Sequence, residues 1–308
     1  MGRGDLSDAE WERLRPFLPV GNRRCGRWRD HRQVIDGILH RVRIGVQWRD
    51  LPERFGPWKT VYKRHRLWSA DGTWEHLLQQ VQAAAEAAGE IDWNISVDST
   101  IVRAHQHAAG ARRTRPRRHR GPNRQNTRTK SAVAESPRPA GGGGAGGEGL
   151  GRSRGGFTTK LHLSADGRCR PLSLIVTSGQ RADCTQFKPV LENIRVPRTG
   201  PGRPRRKPDS LAADKAYSNG PCREYLRRRG IRHTIPEMTD SQAARLRKGS
   251  RGGRPPGFDE EPYKKRNTIE RAINRLKQHR AVASRYDKRR YVYLGTATAA
   301  ALTIWLRT

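Results

Sequence analysis

The chain has 308 residues, enough to bury a sizeable core in one or two domains. Lysine and arginine number 63 against 29 aspartate and glutamate, a formal net charge of +34, and a field of that strength attracts polyanions, nucleic acid first among them. The basic runs are rich in glycine and proline rather than amphipathic, which argues against a membrane-surface role. Cys25, Cys169, Cys184 and Cys222 lie far apart without a CxxC pair, so neither a zinc site nor a disulfide framework is expected, and a reducing cytoplasm fits. The amino terminus carries no apolar segment, so no secretory signal is expected. The long apolar run over residues 291–306 is interrupted by Thr296, Thr298 and Thr303. It is shorter than the roughly 20 residues that span a bilayer, and reads as a buried closing helix.

Ser7 with Glu10 forms a capping box, and Trp11, Leu14 and Leu18 follow at helical spacing until Pro19. Asp30 is placed to cap a second helix with Val34, Ile35, Ile38, Leu39 and Val42 on one wide apolar face. After an aromatic, proline-punctuated connection, a third helix carries Val61, Tyr62, His65 and Trp68, with Lys59, Lys63, Arg64 and Arg66 around it. A fourth carries Trp74, Leu77, Leu78 and Val81 and ends near Gly89. The pattern is that of a small all-α, helix-turn-helix-like domain over residues 1–90, a shape shared by DNA readers and many other bundles. Lys59, Lys63, Arg64 and Arg66 are the candidates for phosphate or base contact.

Residues 91–109 supply the first strand, the run Ile95, Ser96, Val97, Asp98, Ser99, Thr100. Residues 110–155 then break the pattern with seven arginines from Arg112 to Arg124 and four consecutive glycines from Gly141. Almost nothing there is apolar, so a disordered basic linker or insertion is expected. Strand signals return in residues 156–308. Thr159, Leu161 and Leu163 alternate with polar neighbours, Asp166 and Gly167 supply a turn, and residues 171–177 form the next strand. Residues 184–194 read as a helix, residues 211–214 as a strand closed by Asp214, residues 218–229 as a helix, and residues 231–235 as a fifth strand.

The stretch that joins these pieces covers residues 263–277. At about 100° per residue, Ile269, Ile273 and Leu276 share a narrow apolar stripe, and Tyr263, Arg266, Glu270 and Lys277 share a second stripe beside it. A carboxylate flanked by cations at the edge of a buried face suits a cleft wall. Asp98 and Asp214, each at the end of a small or β-branched segment, are the carboxylates that can join Glu270. Oxygen ligands of this kind suit hard divalent cations, and two such ions serve phosphoryl transfer. His105 and His107 are weaker metal candidates, because hard cations prefer oxygen. Asp92 and Asp183 match no partner spacing.

Tyr263, Arg266, Glu270 and Lys277 match the Y-x2-R-x3-E-x6-K signature, and the chain resembles bacterial insertion-sequence transposases of the DDE type, in the IS-five family of the IS-four superfamily. Val97, Asp98, Ser99 and Thr100 with Arg103, Ala104 and His105 match further, as do residues 151–156 and the run Ala213, Asp214, Lys215, Ala216, Tyr217. The resemblance covers nearly the whole chain apart from the glycine-rich middle, the zone where relatives often join two reading frames. It implies an RNase H-like α/β catalytic domain, a mixed five-stranded sheet flanked by helices, behind the N-terminal helices. It further implies Asp98, Asp214 and Glu270 as catalytic residues holding two Mg²⁺, with Mn²⁺ as a substitute and Asp98 as the bridge. Lys277, Arg266 and Tyr263 would position DNA. The implied activity is cleavage at the element's terminal inverted repeats, then attack of the 3′-hydroxyl on target DNA, by a homodimer at the nucleoid. A non-catalytic DNA-binding relic or repressor and an RNase H-like nuclease are the competing readings.

Overall fold

The structure, a computed structural model, describes residues 4–20, 28–109, 147–153 and 156–308. Cys25, most of the expected linker (residues 110–146), and Arg154 and Gly155 of the arginine–glycine match lie outside the described residues.

Four helices open the chain. Helix α1 (Asp8–Leu14) begins on the expected capping box, with Ser7 Oγ accepting from the Glu10 amide and the Glu10 carboxylate accepting from the Ser7 amide. Helix α2 (His31–Ile44) is capped by Asp30, whose carboxylate takes the amides of Arg32 and Gln33, and it ends at Gly45 with φ of 75°. Helix α3 (Trp58–Ala70) and helix α4 (Thr73–Ala87) follow.

Seven strands make one mixed sheet: β1 (Asn94–Ala104), β2 (Gly151–Ser153), β3 (Gly156–Ala165), β4 (Pro171–Ser178), β5 (Ser210–Ala213), β6 (Arg232–Thr234) and β7 (Ser284–Arg285). Across the sheet the order is β4, β3, β1, β5, β6, antiparallel as far as β1 and parallel beyond it. These are the five expected strands. Short β2 continues β3 with antiparallel pairs, and two-residue β7 pairs with the far end of β1. Both additions depend on one buried guanidinium. Arg285, on β7, donates to the carbonyls of Glu148 (2.7 Å), Gly149 (3.1 Å) and Asp287 (2.9 Å) and to Thr159 Oγ1 (2.6 Å). Glu148 in turn pairs with Arg289 and accepts the Arg290 amide. The expectation of a loose chain up to residue 155 therefore fails at residues 147–153, because a buried arginine needs carbonyl partners and this segment supplies them.

Helices α5 (Gln106–Ala109), α6 (Cys184–Glu192), α7 (Gly220–Arg228), α8 (Thr239–Arg247), α9 (Glu260–Lys264), α10 (Asn267–Lys277), α11 (Arg280–Ala283) and α12 (Arg290–Leu306) complete the chain. Helix α12 is the expected closing helix and is buried from Thr296 through Leu306. It packs on α2, α3 and α4 as well as on β4. Trp305 Nε1 donates to the Pro171 carbonyl at 2.7 Å, and the Arg170 guanidinium lies 4.0 Å from the Trp305 ring centre. The opening helices and the sheet thus share one hydrophobic core.

A buried polar chain crosses the same contact. Trp74 Nε1 donates to His65 Nδ1 (3.1 Å), which leaves His65 Nε2 as the donor to Thr296 Oγ1 (3.1 Å). Thr296 donates to Asp287 (2.9 Å), and Asp287 pairs with Arg41 of α2 (3.1 Å). Burial lowers the pKa of His65 to about 4, so the ring is neutral at physiological pH. A histidine held neutral in the fold but free to charge when unfolded gives stability that is full above about 6.5 and is lost as pH falls towards 4. His162, also lowered to about 4 by burial, acts in the same direction.

Two outcomes are expected in thermal unfolding followed by far-UV and near-UV dichroism. Trp305→Ala should cost about 3–5 kcal/mol, with both signals melting in a single transition; separate transitions for helices and sheet would contradict the shared core. The wild-type midpoint should fall between pH 6.5 and 4, and His65→Gln should flatten that slope.

Candidate active site

Strand pairing decides where the carboxylates meet. The parallel register sets Ile95 against Leu211 and Val97 against Ala213, and there β5 stops. The next residue on each strand is an aspartate, Asp98 on β1 and Asp214 just past β5. Asp98 had been expected at a strand end, yet β1 runs on to Ala104; the strand that ends is its neighbour. From Asp98 to Val102, β1 has no strand on that edge until β7 resumes pairing at Arg103. A sheet edge bare in mid-strand leaves room for side chains and ligand.

Helix α10 lies along this bare edge. Its inward face buries Ile269, Ala272 and Leu276, with Ile273 half-buried, as the apolar stripe predicts. Thr268 Oγ1 meets Ser96 Oγ at 3.3 Å, Arg266 Nη1 stands 3.5 Å from Asp98 Oδ2, and Lys277 Nζ stands 3.5 Å from the Ile101 carbonyl. Arg266 also grips Glu270 at 2.6 Å, so one guanidinium bridges the strand carboxylate and the helix carboxylate. The expected single helix over residues 263–277 is broken. Tyr263 belongs to α9, and i→i+3 turns at Arg266, Thr268 and Ile269 link the two helices. Two cations, Lys265 and Arg266, occupy the break, and Arg266 turns inward to the acids. Tyr263 therefore does not share the Glu270 stripe; its ring sits 5.8 Å from the Arg266 guanidinium and 5.2 Å from Phe258.

Burial pushes the Asp98 carboxyl above the usual carboxylate range, assisted by the nearby charges of Asp214 and Asp183. The Ser99 amide, bound at 2.7 Å, and Arg266 pull the other way. Burial alone would lower the pKa of Arg266, but Tyr263, Glu270, Asp98 and Asp214 more than offset it and hold the guanidinium charged. Asp214 Oδ1 accepts the Lys215 amide at 2.7 Å. Glu270 is half exposed.

Among the described residues no three carboxylate, imidazole or thiolate side chains are gathered tightly enough to close on one ion. Glu270 reaches Asp98 through Arg266. The donor chemistry nonetheless fits a hard divalent cation: the three acids offer only oxygen, and the buried Asp98 is short of counter-charge. A cation already stands between two of them, in the form of Arg266. His105 and His107 sit beyond the bare edge, ring against ring at 4.6 Å and next to Tyr286 at 4.9 Å. Asp92 caps its own turn by accepting from Asn94.

Asp183, which matches no partner spacing along the chain, does lie at this site. Its carboxylate accepts from Ser99 Oγ at 2.6 Å and pairs with Lys160 at 3.0 Å. Local sequence around Asp183 carries no signal, since the partners are 84 and 23 positions away. The available hint is on β3, where the polar Lys160 and His162 alternate with Leu161 and Leu163 on a strand that is buried from Thr158 to Ala165.

The third-helix cations separate. Lys59 and Lys63 are exposed, whereas Arg66 is tied to the Tyr291 hydroxyl of α12 at 3.0 Å. Arg64 is buried, with its guanidinium 3.9 Å from the Trp28 ring centre, 5.5 Å from that of Trp68 and 3.2 Å from His31 Nδ1. It is a core residue and not a surface contact for DNA. Its planar, weakly hydrated group stacks on indoles as a lysine could not.

Two aspartates abreast at the open edge of a mixed sheet in this order, with a helix carrying a glutamate alongside, define an RNase H-like phosphoryl-transfer enzyme. Comparison with known proteins narrows the class. The Transposase DDE domain family matches residues 91–304, and the transposase family described as IS4/5 matches residues 6–78. The uncharacterised protein y4sN of Sinorhizobium fredii is 41% identical over 111 residues, 36% of this chain and 85% of that protein. The uncharacterised 16.2 kDa protein of insertion element IS402 from Burkholderia cepacia is 34% identical over 112 residues, 34% of this chain and 76% of its own length. Among solved structures, the Mos1 mariner paired end complex with Mn covers 88% of this chain and 86% of its own at 10% identity. Its TM-score of 0.23 is too low to carry an argument. The chain belongs to the DDE transposases of insertion sequences: it is a DNA transposase, an enzyme of DNA cleavage and strand transfer, in a family that uses divalent metal ions and binds DNA. No helix among the described residues is long and apolar enough to cross a membrane.

The split among the α3 cations is testable by filter binding across a salt series. Lys59→Ala and Lys63→Ala should each lower DNA affinity and reduce the salt slope by about one. Arg64→Ala should leave that slope alone and lower the unfolding midpoint instead.

Proposed function

We propose that Asp98, Asp214 and Glu270 are the catalytic carboxylates of this transposase, that they hold two Mg²⁺ ions with Mn²⁺ as a substitute, and that the bound DNA is the element's own terminal inverted repeats followed by a target duplex. The observation that carries the assignment is the register of β1 with β5, which sends Asp98 and Asp214 off the sheet side by side where the pairing stops. The third acid is supported by α10, on which Arg266 ties Glu270 to Asp98.

Divalent cations, when bound, supply Lewis-acid polarisation of the scissile phosphodiester and of the attacking oxygen. The chain's own residues do the rest. Asp98, less exposed than Glu270 and flanked by charged neighbours, would hold a cation together with Asp214. Arg266 keeps neighbouring carboxylates from repelling one another before DNA arrives, and the Tyr263 ring beside it limits where the guanidinium can swing. Lys277 has a long, weak contact with the Ile101 carbonyl, so a phosphate oxygen at the bare edge competes for its ammonium on favourable terms. The net charge of +34 attracts the duplex and makes binding salt-dependent. Joining both ends of one element to one target needs two such sites in a single complex, which supports a homodimer on paired DNA ends, acting in the cytoplasm at the nucleoid. The domain reading follows with one change of boundary: residues 1–90 as the DNA-binding helices, residues 91–109 with 147–308 as the catalytic part, since β2 joins the sheet, and residues 110–146 as an insertion between them.

The test is Mg²⁺-dependent cleavage of a duplex carrying the gene's flanking ends. Glu270→Gln should reduce cleavage at the element boundary by more than the roughly 10–100-fold typical of outer-shell partners, while DNA binding persists. Equal cleavage by wild type and variant would remove Glu270 from the site. Cutting without preference for the element boundary would point to a nuclease, and binding without cutting in both proteins would mean a relic.

A further inference from the structure

Beside the acids of the bare edge lies a second polar cluster that the reaction as described does not use. Asp183 stands at the N-terminal end of α6, where an aspartate ordinarily caps the helix, yet its side chain makes no capping bond. Its Oδ1 is turned to the sheet instead, taking the Ser99 hydroxyl at 2.6 Å and the Lys160 ammonium at 3.0 Å. Lys160 is itself buried and donates also to the Arg181 carbonyl at 3.0 Å. His162, paired directly across from Ser99 in the β1–β3 register, brings Nδ1 to 3.7 Å of the same Asp183 oxygen and anchors Nε2 on Thr177 at 2.8 Å. Tyr217 closes the corner, its ring 5.3 Å from that of Phe187 on α6 and its buried hydroxyl beside that of Ser99.

Ser99 is the joint between this cluster and the acids. Side chains alternate along a strand, so the Ser99 hydroxyl points to the face opposite that of the Asp98 carboxylate. Its backbone amide, however, donates to Asp98 Oδ1 at 2.7 Å. One residue is thus pulled by Asp183 through its side chain and holds Asp98 through its main chain. The pull acts where β1 has lost its β5 neighbour and where strand pairing on that edge no longer fixes the peptide plane.

We propose that Asp183, braced by Lys160 and acting through Ser99, is a positioning residue that sets how tightly the Asp98 carboxylate grips a divalent cation. The proposal rests on Asp98 being a metal ligand and goes beyond it. Asp183 touches neither substrate nor the reacting atoms; it fixes the amide that orients the ligand.

The full-length chain can be tested without DNA by titrating Mn²⁺ and following the free ion by electron paramagnetic resonance. Ser99→Ala is the sharpest variant, because it cuts the joint and leaves the Asp183–Lys160 pair intact. It should weaken Mn²⁺ binding by about 10–100-fold, and Ser99→Thr, which keeps the hydroxyl, should restore it. Asp183→Asn combined with Lys160→Met, which strands no buried charge, should match the Ser99→Ala loss. In cleavage assays the same variants should need more Mn²⁺ to reach half-maximal rate and recover at saturating metal, a shift that general destabilisation would not give. Wild-type Mn²⁺ affinity in Ser99→Ala and in the double variant, beside a clear loss in Asp98→Asn, would overturn the role of Asp183. Unchanged affinity in Asp98→Asn would overturn the ligand assignment beneath it.

Discussion

Everything at the site depends on where two strands stop pairing. Strands β1 and β5 run parallel for four residues and part at Val97 and Ala213. Parallel pairing keeps equivalent side chains abreast, so the first residue past the last pair on each strand is delivered to the same place. Had β5 extended further, its backbone would fill the edge that α10 lines. Had β5 been shifted by one residue against β1, Asp98 and Asp214 would no longer leave the sheet in step, since a slip of one position reverses a side chain's face. Short β5 is a functional length.

The second organising contact is the seating of α12 among α2, α3, α4 and β4. A helix whose buried face runs all the way round has to be enclosed, and neither the opening helices nor the sheet encloses it alone. Its Trp305 and Thr296 make specific bonds on either side, to Pro171 of β4 and to the His65–Asp287 chain. Positions of the opening helices are therefore coupled to the strands that carry the acids.

Much of this was legible in the sequence, wherever a signal was local. Ser7, Glu10 and Asp30 cap the helices their spacing predicts, and the five principal strands fall where the apolar and β-branched runs place them. What was not legible depends on contacts distant in sequence. A basic residue on an amphipathic helix reads as a surface charge, and nothing local reveals that Arg64 lies between Trp28 and Trp68. The three- and four-residue spacing of Tyr263, Arg266 and Glu270 suggests one unbroken helix; the attraction of Arg266 for Asp98, 168 positions earlier, is part of a different local geometry. Asp183 was passed over for the same reason, as its partners sit on two other strands. The glycine-rich composition of residues 147–153 promised looseness, but composition cannot anticipate a buried Arg285 that binds their carbonyls.

That arginine has an architectural consequence. It fastens the chain on one side of residues 110–146, while on the other side Ala108 is fully buried beside β1. Both banks of the interval are thus moored in the folded body independently of what runs between them. A break anywhere in that interval severs none of the described contacts, and the two resulting pieces would still have complementary surfaces, β1 against β3 and the opening helices against α12. The fold is in this sense a two-piece assembly carried on one polypeptide. Among the described residues, Asp98 stands on the first piece and Asp214 and Glu270 on the second, and the β1–β5 register is what brings the two aspartates together.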